Sequence, residues 1–343
     1  MFEDLAPWTH AALFATGAAV VWRAGSRLAG YADKIAEATG LGRDVLGILL
    51  LGGVTSLPEL AVSVSATLAG TPVLGISDAL GSASVQLLIL AIADGIAGRQ
   101  ALTSAPGTPA VMLQATLGIV LLSMVVGAGV AGDMLVWGMG AWSWLMAASY
   151  IGAIWMISRS SGAGAWVPAQ SPAAASRTDE AGGGPQAPLR PLVLRTVAAA
   201  GAILVGGFVL ARTGEALAEQ TGLGTSFFGA VLLGFSTALP EASTVIAAVR
   251  LKRYEMALAD VLGANLAAVA IIVVVDALHP GGPVLAEAGR FASFAALLAI
   301  VMTALFLVGM IERRDRTVLR MGTDSLGVIA CYAAGVVVLF LLR

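Results

Sequence analysis

The sequence predicts an all-α polytopic membrane protein with ten transmembrane helices, arranged as two inverted-topology five-helix repeats. Apolar residues make up 58% of the 343 residues, charged residues make up 12%, and the mean hydropathy is +0.90, a composition typical of an integral membrane protein. The apolar residues fall in stretches of about 20 residues, the length of a helix that crosses a bilayer. In addition, part of the first half of the chain recurs in the second half.

Ten apolar stretches divide evenly around a polar segment. The predicted spans are residues 8–26, 44–69, 74–97, 109–131, 134–158, 192–212, 226–249, 255–278, 288–311 and 324–342. Residues 159–190 are rich in Gly, Pro, Ala and Ser and have little to bury, so we expect a flexible linker there. The predicted domains are therefore an N-terminal repeat (1–158), a linker (159–190) and a C-terminal repeat (191–343).

The basic residues predict the orientation. With the amino terminus outside, only Arg212, Arg290 and Arg343 of the 19 Lys and Arg residues fall outside, which leaves 16 (19 − 3) at or near the cytoplasmic face. We therefore expect both termini outside and the linker in the cytoplasm. Because the chain uses Arg far more than Lys and is rich in Ala and Gly, we expect a bacterial inner (plasma) membrane.

The two halves contain a repeat. The segment "TGLGRDVLGILLLGGVTSLPEL" from Thr39 aligns without a gap with "TGLGTSFFGAVLLGFSTALPEA" from Thr221, and we call the constant difference in numbering between the two copies the repeat offset. The register continues to Asp94 and Asp276, and roughly a third of the aligned positions are identical. Five predicted spans separate the copies, so the second copy crosses the membrane in the opposite direction. Secondary transporters with such inverted repeats bind substrate near the bilayer midplane, between broken helices.

Each copy contains a threonine, a proline and a glutamate at the same spacing. These are Thr55, Pro58 and Glu59 in the first copy and Thr237, Pro240 and Glu241 in the second. Proline removes an amide donor, so we expect each helix to bend or open near it. A charged carboxylate at mid-membrane costs about 2.5–3.5 kcal/mol and is a functional candidate by default; a pair of buried structural acids is the alternative. Two converging carboxylates with hydroxyl and carbonyl oxygens suit a hard cation, with protons or a second cation as the other occupant.

Other features exclude several classes of function. The single cysteine, Cys331, excludes a disulfide framework and a multi-cysteine metal site. The net charge of −2 gives no indication of a nucleic-acid partner. No nucleophile and base accompany the glutamates, so we predict that the protein is not an enzyme, and we predict no cofactor and no obligatory protein partner. His10 and His279 lie near span ends and are expected to be interfacial.

Four aspartates also recur in pairs. Asp94 and Asp276 lie near the far ends of their spans, where we expect solvated or interfacial side chains. Asp78 and Asp260 precede a Gly-containing segment in each copy, where helix capping is favoured over an accessory proton site.

The paired "TSLPE" and "TALPE", with "DALGS" and "DVLGAN" downstream, resemble the alpha-repeats of the sodium/calcium exchanger family, within the cation/calcium antiporter superfamily. The resemblance implies that Glu59 and Glu241 coordinate Ca²⁺. It also implies further ligands from the following residues: Thr55, Thr237, Ser56, Ser82 and Gln86. Of these, Ser56 and Ser82 match hydroxyl positions associated with sodium sites, and Gln86 takes the place of an asparagine that usually lines the site.

The second repeat departs from the family pattern. Ala238, Ala264 and Ala268 stand at the positions that correspond to Ser56, Ser82 and Gln86. Three potential oxygen ligands are missing on one side, which favours proton coupling over sodium coupling. We therefore expect a secondary active antiporter that exchanges Ca²⁺ against H⁺ or Na⁺ by alternating access, with inorganic cations and the lipid bilayer as its partners. A degenerate, non-transporting membrane scaffold or cation sensor of the same fold is the alternative.

Overall fold

The computed structural model describes most of the chain. It describes residues 6–39, 55–97, 102–104, 109–160, 189–250, 252, 254–312, 317–318 and 321–343. The first part of the predicted second span, with Gly52 and Gly53, lies outside the described residues, as does most of the predicted linker.

The described part of the first half contains five helices and a hairpin. They are α1 (Pro7–Thr39), α2 (Leu57–Leu68), α3 (Pro72–Ala97), a 3₁₀ turn (Leu102–Ser104), α4 (Pro109–Ala131), β1 (Leu135–Val136), β2 (Met139–Gly140) and α5 (Ala141–Ser160). Proline is the first residue of α1, α3 and α4. The N–H groups of a helix's first turn have no acceptor within the helix, so proline loses no hydrogen bond there. Trp137 and Gly138 join the two strands with φ of 48° and 84°, as a type I′ hairpin turn requires.

The second half repeats this order. Its elements are α6 (Leu189–Thr221), α7 (Thr225–Phe228), a π-helical turn (Gly229–Leu233), α8 (Gly234–Thr237), α9 (Leu239–Arg250), α10 (Tyr254–Leu278), α11 (Val284–Glu312), β3 (Thr317–Val318), β4 (Met321–Gly322) and α12 (Thr323–Leu342). The first and last residues of α6, α9 and α12 match those of α1, α2 and α5 once the repeat offset is applied, and the strands keep the same offset. The repeat found in the sequence therefore extends through each half.

The number of spans differs from the prediction. Within the described residues, six helices are long and apolar enough to cross a membrane, or seven if the bent pair Thr225–Thr237 and Leu239–Arg250 forms one span. The predicted count of ten is not confirmed. The helices α1 and α5, with 33 and 20 residues, are long enough but less apolar than these six, and α2 has only 12 described residues.

Helices α3 and α10 form the centre of the bundle. Their apolar stretches are 78% and 72% buried, against 22% for α6 and α12. They pack against each other, and α3 also packs against α2, α9 and α11. The long helices α1 and α6 pack against each other, with α1 also contacting α9 and α6 also contacting α2. The first helix of each half therefore touches the Pro-Glu helix of the other half.

Asp94, near the end of α3, joins the two halves. Its carboxylate oxygen Oδ1 accepts a hydrogen bond from the Leu102 amide at 2.6 Å, and Oδ2 accepts one from the Gly322 amide of strand β4 at 2.7 Å. The side chain is only 1% exposed. The prediction of a solvated or interfacial Asp94 is therefore wrong, because protein amides replace water as its donors.

Asp276, near the end of α10, makes the equivalent contacts. Its Oδ1 accepts from the Val284 amide and its Oδ2 from the Gly140 amide of strand β2, both at 2.7 Å. This side chain is also 1% exposed, so the interfacial prediction is wrong here too. We call Asp94 and Asp276 the clasp aspartates, because each joins its own half to the hairpin of the other.

At Gly81 of α3 the backbones of the two halves lie close together. A Cβ atom added to Gly81 would overlap the backbone of Ala230 in the π-helical turn. Because the added atom would meet main-chain atoms, the overlap cannot be relieved by rotating a flexible side chain. We therefore expect Gly81→Ala to lower the free energy of unfolding by about 1–3 kcal/mol, seen as a lower apparent Tm in detergent.

The control for Gly81 is Gly152→Ala in α5, where the added methyl group meets no described atom within 4 Å. This variant should keep or slightly raise the apparent Tm, because alanine favours a helix over glycine. Equal Tm values for the two variants would contradict the close approach at Gly81.

Candidate cation site

Both Pro-Glu motifs stand at the start of a helix. In the first half, α2 begins after Ser56, with Pro58 in its first turn and Glu59 next to it. In the second half, the helix breaks at Ala238, and the segments on either side meet at 47°. Pro240 has no N–H, so the Ser236 carbonyl loses its helical donor there. The predicted bend beside proline is confirmed in the second half.

The structure brings the two glutamates together in the interior. Glu59 and Glu241 are 2% and 0% exposed. Glu59 lies within electrostatic range of Glu241 and of Asp78, while Glu241 also has Asp260 as an acidic neighbour. Each half thus contributes one glutamate and one aspartate to the same buried region.

Amide and hydroxyl groups contact these carboxylates. The Gln86 Nε2 atom donates to Glu59 Oε1 at 3.2 Å. The Thr237 hydroxyl donates to Asp78 Oδ1 at 3.0 Å, across the two halves. In the other direction, the Thr55 side chain interacts with the Glu241 carboxylate. Thr237 therefore bonds to an acid of the opposite half, and Thr55 lies within interaction range of one.

The two predicted serines are buried in the same half. Ser56 is 5% exposed, and its Oγ has no hydrogen-bond partner among the described residues. Ser82 is 1% exposed and donates to the Ala79 carbonyl at 3.1 Å. On α3, Ser82 lies one turn before Gln86. The first half therefore buries two hydroxyl groups in addition to the Gln86 amide that contacts Glu59.

The second half lacks side-chain oxygens at the corresponding places. Ala238, Ala264 and Ala268 are 0%, 2% and 4% exposed, so they line the interior without offering a ligand. The second half therefore offers fewer side-chain oxygen ligands than the first, as the sequence predicts, and the three alanines are buried away from water.

Several buried polar atoms of this region are unsatisfied. Within the described residues, Glu59 Oε2, Asp78 Oδ2, Gln86 Oε1 and Asp260 Oδ1 have no hydrogen-bond partner. A buried polar atom without a partner is costly, and such atoms in folded proteins call for an ion, a water molecule or a catalytic role. Oxygen atoms of this kind are the ligands that hard cations prefer.

The described residues contain no group of three or more His, Cys, Asp or Glu side chains placed to hold a metal ion. The four acids interact in series instead: Asp78 with Glu59, Glu59 with Glu241, and Glu241 with Asp260. The described contacts between a basic and an acidic side chain, Arg212 with Glu215 and His279 with Glu287, involve none of these four acids.

Asp78 and Asp260 also lie in this buried region, which the sequence did not predict. Helix capping is wrong for both: Asp78 lies inside α3 and accepts from Thr237, and Asp260 lies inside α10 and accepts from the Thr244 hydroxyl at 2.5 Å. Their spacing was the available signal, because Asp78, Ser82 and Gln86 recur every four residues on one helix face.

The histidines lie outside this region. His10 is 0% exposed and shares a 3.2 Å hydrogen bond with Gln220 of α6, so the expectation of an interfacial side chain is wrong for it. His279, just after α10, pairs with Glu287 at 3.0 Å.

Comparison with known proteins gives a consistent assignment. The model of the family described as "Sodium/calcium exchanger protein" matches residues 9–158 and 192–341. The fold resembles that of the sodium-calcium exchanger NCX_Mj soaked with 2.5 mM Na⁺ and 0.1 mM Sr²⁺, with TM-score 0.61 and 17% identity over 97% of this chain and 99% of that chain. A search of the curated proteins finds no match.

Two other solved structures share the fold. The H⁺/Ca²⁺ exchanger CAX has TM-score 0.67 and 11% identity, over 97% of this chain and 86% of that chain. Native YfkE has TM-score 0.64 and 15% identity, over 96% of this chain and 92% of that chain. With the family model matching both halves, this chain belongs to the sodium/calcium exchanger family.

Proposed function

We propose that this protein is a secondary active cation antiporter that exchanges Ca²⁺ against H⁺ or Na⁺ by alternating access. The observation that carries the proposal is the pair Glu59 and Glu241, one from each half, buried together where their helices begin. Family membership supports cation and Ca²⁺ antiport as the class of function. The proposed ligands of the cation are Glu59, Glu241 and the buried oxygens of Ser56 and Gln86.

We further propose ten membrane helices in two inverted halves, with both termini outside. The repeat offset shared by the helices and strands supports two equivalent halves. The clasp aspartates support the inversion: the end of α3 contacts the hairpin that follows α11, and the end of α10 contacts the hairpin that follows α4. Because α4 begins shortly after α3 and then crosses the bundle, the ends of α3 and α10 lie on opposite sides.

Exchange requires that two cargoes exclude each other. Two carboxylates in a site of low dielectric cannot both stay charged without a cation or protons, so one cargo enters as the other leaves. Mutual exclusion at shared oxygens makes the movement an exchange rather than a leak.

Helices α1 and α6 are the proposed moving pair. Gly25 of α1 and Gly207 of α6, which correspond under the repeat offset, each lie against the Pro-Glu helix of the other half. A Cβ added to Gly25 would lie 2.6 Å from the Pro240 ring, and one added to Gly207 would lie 2.6 Å from Ala61. Small residues let the two helices slide across the site at close range.

Protons are the proposed coupling ion. Sodium ions need several neutral oxygen ligands, and the second half offers Ala238, Ala264 and Ala268 at three of the relevant positions. Carboxylates bind protons without that additional coordination shell. The similarities to NCX_Mj and CAX concern only the fold, so the proposal of proton rather than sodium coupling rests on the residues of this chain.

The test is ion flux into proteoliposomes under one gradient at a time. We expect a proton gradient alone to drive ⁴⁵Ca²⁺ uptake, and a sodium gradient alone, at clamped pH, to drive little. Uptake driven only by Na⁺ would overturn proton coupling. A panel with Mg²⁺, Mn²⁺ and Sr²⁺ as competitors identifies the preferred cation. Ca²⁺ binding without flux under every gradient would support the scaffold or sensor instead.

A further inference from the structure

The central helices each carry a stripe of three residues one turn apart. On α3 the stripe is Asp78, Ser82 and Gln86; on α10 the corresponding positions are Asp260, Ala264 and Ala268. Residues spaced by four lie on the same face of a helix, so each aspartate shares a face with the predicted ligand positions. Of the three pairs of corresponding positions, only Asp78 and Asp260 are polar in both stripes.

Each aspartate lies next to the glutamate of its own half. Asp78 is an acidic neighbour of Glu59, and Asp260 is an acidic neighbour of Glu241. Asp78 and Asp260 are 0% and 4% exposed. The buried region therefore contains a Glu-Asp pair from each half.

One oxygen of each aspartate is held by the protein and the other is open. Asp78 Oδ1 accepts from Thr237 and Asp260 Oδ2 accepts from Thr244. Asp78 Oδ2 and Asp260 Oδ1 have no hydrogen-bond partner within the described chain. The clasp aspartates, in contrast, use both of their oxygens.

A second, non-acidic group points to the same ligand chemistry. The Gln86 amide is 2% exposed and donates to Glu59, yet its Oε1 has no partner among the described residues. A neutral carbonyl oxygen, like the open carboxylate oxygens, is a ligand of hard cations.

We propose that Asp78 and Asp260 are cation-binding residues, so that two Glu-Asp pairs, one from each half, hold a divalent cation. This inference rests on the proposed function and extends its site. It also explains how the second half keeps its share of the site: Asp260 supplies charge where Ala264 and Ala268 supply no oxygen. No three of these acids converge on one point among the described residues, so the proposal includes a rearrangement of their side chains when the cation binds.

The test is Ca²⁺ binding by the full-length protein in detergent, measured with ⁴⁵Ca²⁺ at equilibrium, for Asp78→Asn and Asp260→Asn. Asparagine keeps an oxygen that accepts from Thr237 or Thr244, so the structural contact is retained and only the charged ligand is lost. We expect each variant to bind Ca²⁺ about 10- to 100-fold more weakly. The apparent Tm without Ca²⁺ should be unchanged or higher, and its rise at a given Ca²⁺ concentration should be smaller than in the wild type.

Two further variants complete the test. Glu287→Gln, which removes an exposed acid outside the site, should bind Ca²⁺ as the wild type does. Asp78→Glu keeps the charge and should lose less affinity than Asp78→Asn; equal losses would mean that packing rather than charge matters, and would overturn the inference.

The outcomes separate the two proposals. If the wild type binds Ca²⁺ and both asparagine variants bind it equally well, the inference is overturned and the proposed antiport stands. If the wild type binds no Ca²⁺, the proposed function fails, and the inference fails with it.

Discussion

Replacing Glu59 or Glu241 with glutamine is expected to reduce Ca²⁺ exchange in proteoliposomes by about 30-fold or more. Losing one partner of a buried charged contact costs about 2–5 kcal/mol, and each 1.4 kcal/mol is a factor of ten. Glutamine keeps the shape of the side chain but removes the charge that attracts a divalent cation. The measurement is the initial rate of ⁴⁵Ca²⁺ uptake under the gradient that drives the wild type.

The same variants should fold at least as well as the wild type. Both glutamates are buried, and they are close enough to repel each other when charged. A neutral amide removes that repulsion, so we expect an equal or higher apparent Tm in the absence of Ca²⁺. Glu287→Gln is the matched control and should exchange Ca²⁺ at the wild-type rate. Wild-type rates in both site variants would refute the assignment of the site.

Removing either clasp aspartate is expected to have the largest effect on stability. Asp94→Ala deletes two hydrogen bonds of 2.6 and 2.7 Å and leaves the amides of Leu102 and Gly322 without their acceptor. A buried donor without a partner costs about 1–3 kcal/mol, so the total loss is about 2–6 kcal/mol. Asp276→Ala should cost a similar amount, because its contacts are equivalent.

Thermal unfolding in detergent measures this loss as a fall in apparent Tm. Asp94→Asn serves as the graded control: it keeps one carbonyl acceptor and should lose about half as much. Glu215→Gln in α6, which removes a partly exposed ion pair with Arg212, should change the Tm little. An unchanged Tm in Asp94→Ala and Asp276→Ala would contradict the clasp.

The sequence determined those features that depend on local chemistry. Apolar stretches of bilayer length predicted most of the long helices, and the repeat offset predicted the second half from the first. The break beside Pro240 was predicted because a missing N–H acts on its own helix. The glutamate pair could be proposed because the same motif appears in both copies.

Only the tertiary structure decided which polar groups meet. Asp94 near a helix end has the same sequence pattern whether it faces water or protein amides, and its donor Gly322 lies 228 residues away. Likewise, the Thr237 hydroxyl reaches Asp78 across 159 residues. Local pattern shows that an acid is present, whereas its role depends on which donors the packing of the two halves brings within hydrogen-bonding distance. That is why the sequence predicted Glu59 and Glu241, while the structure was needed to place Asp78 and Asp260 beside them.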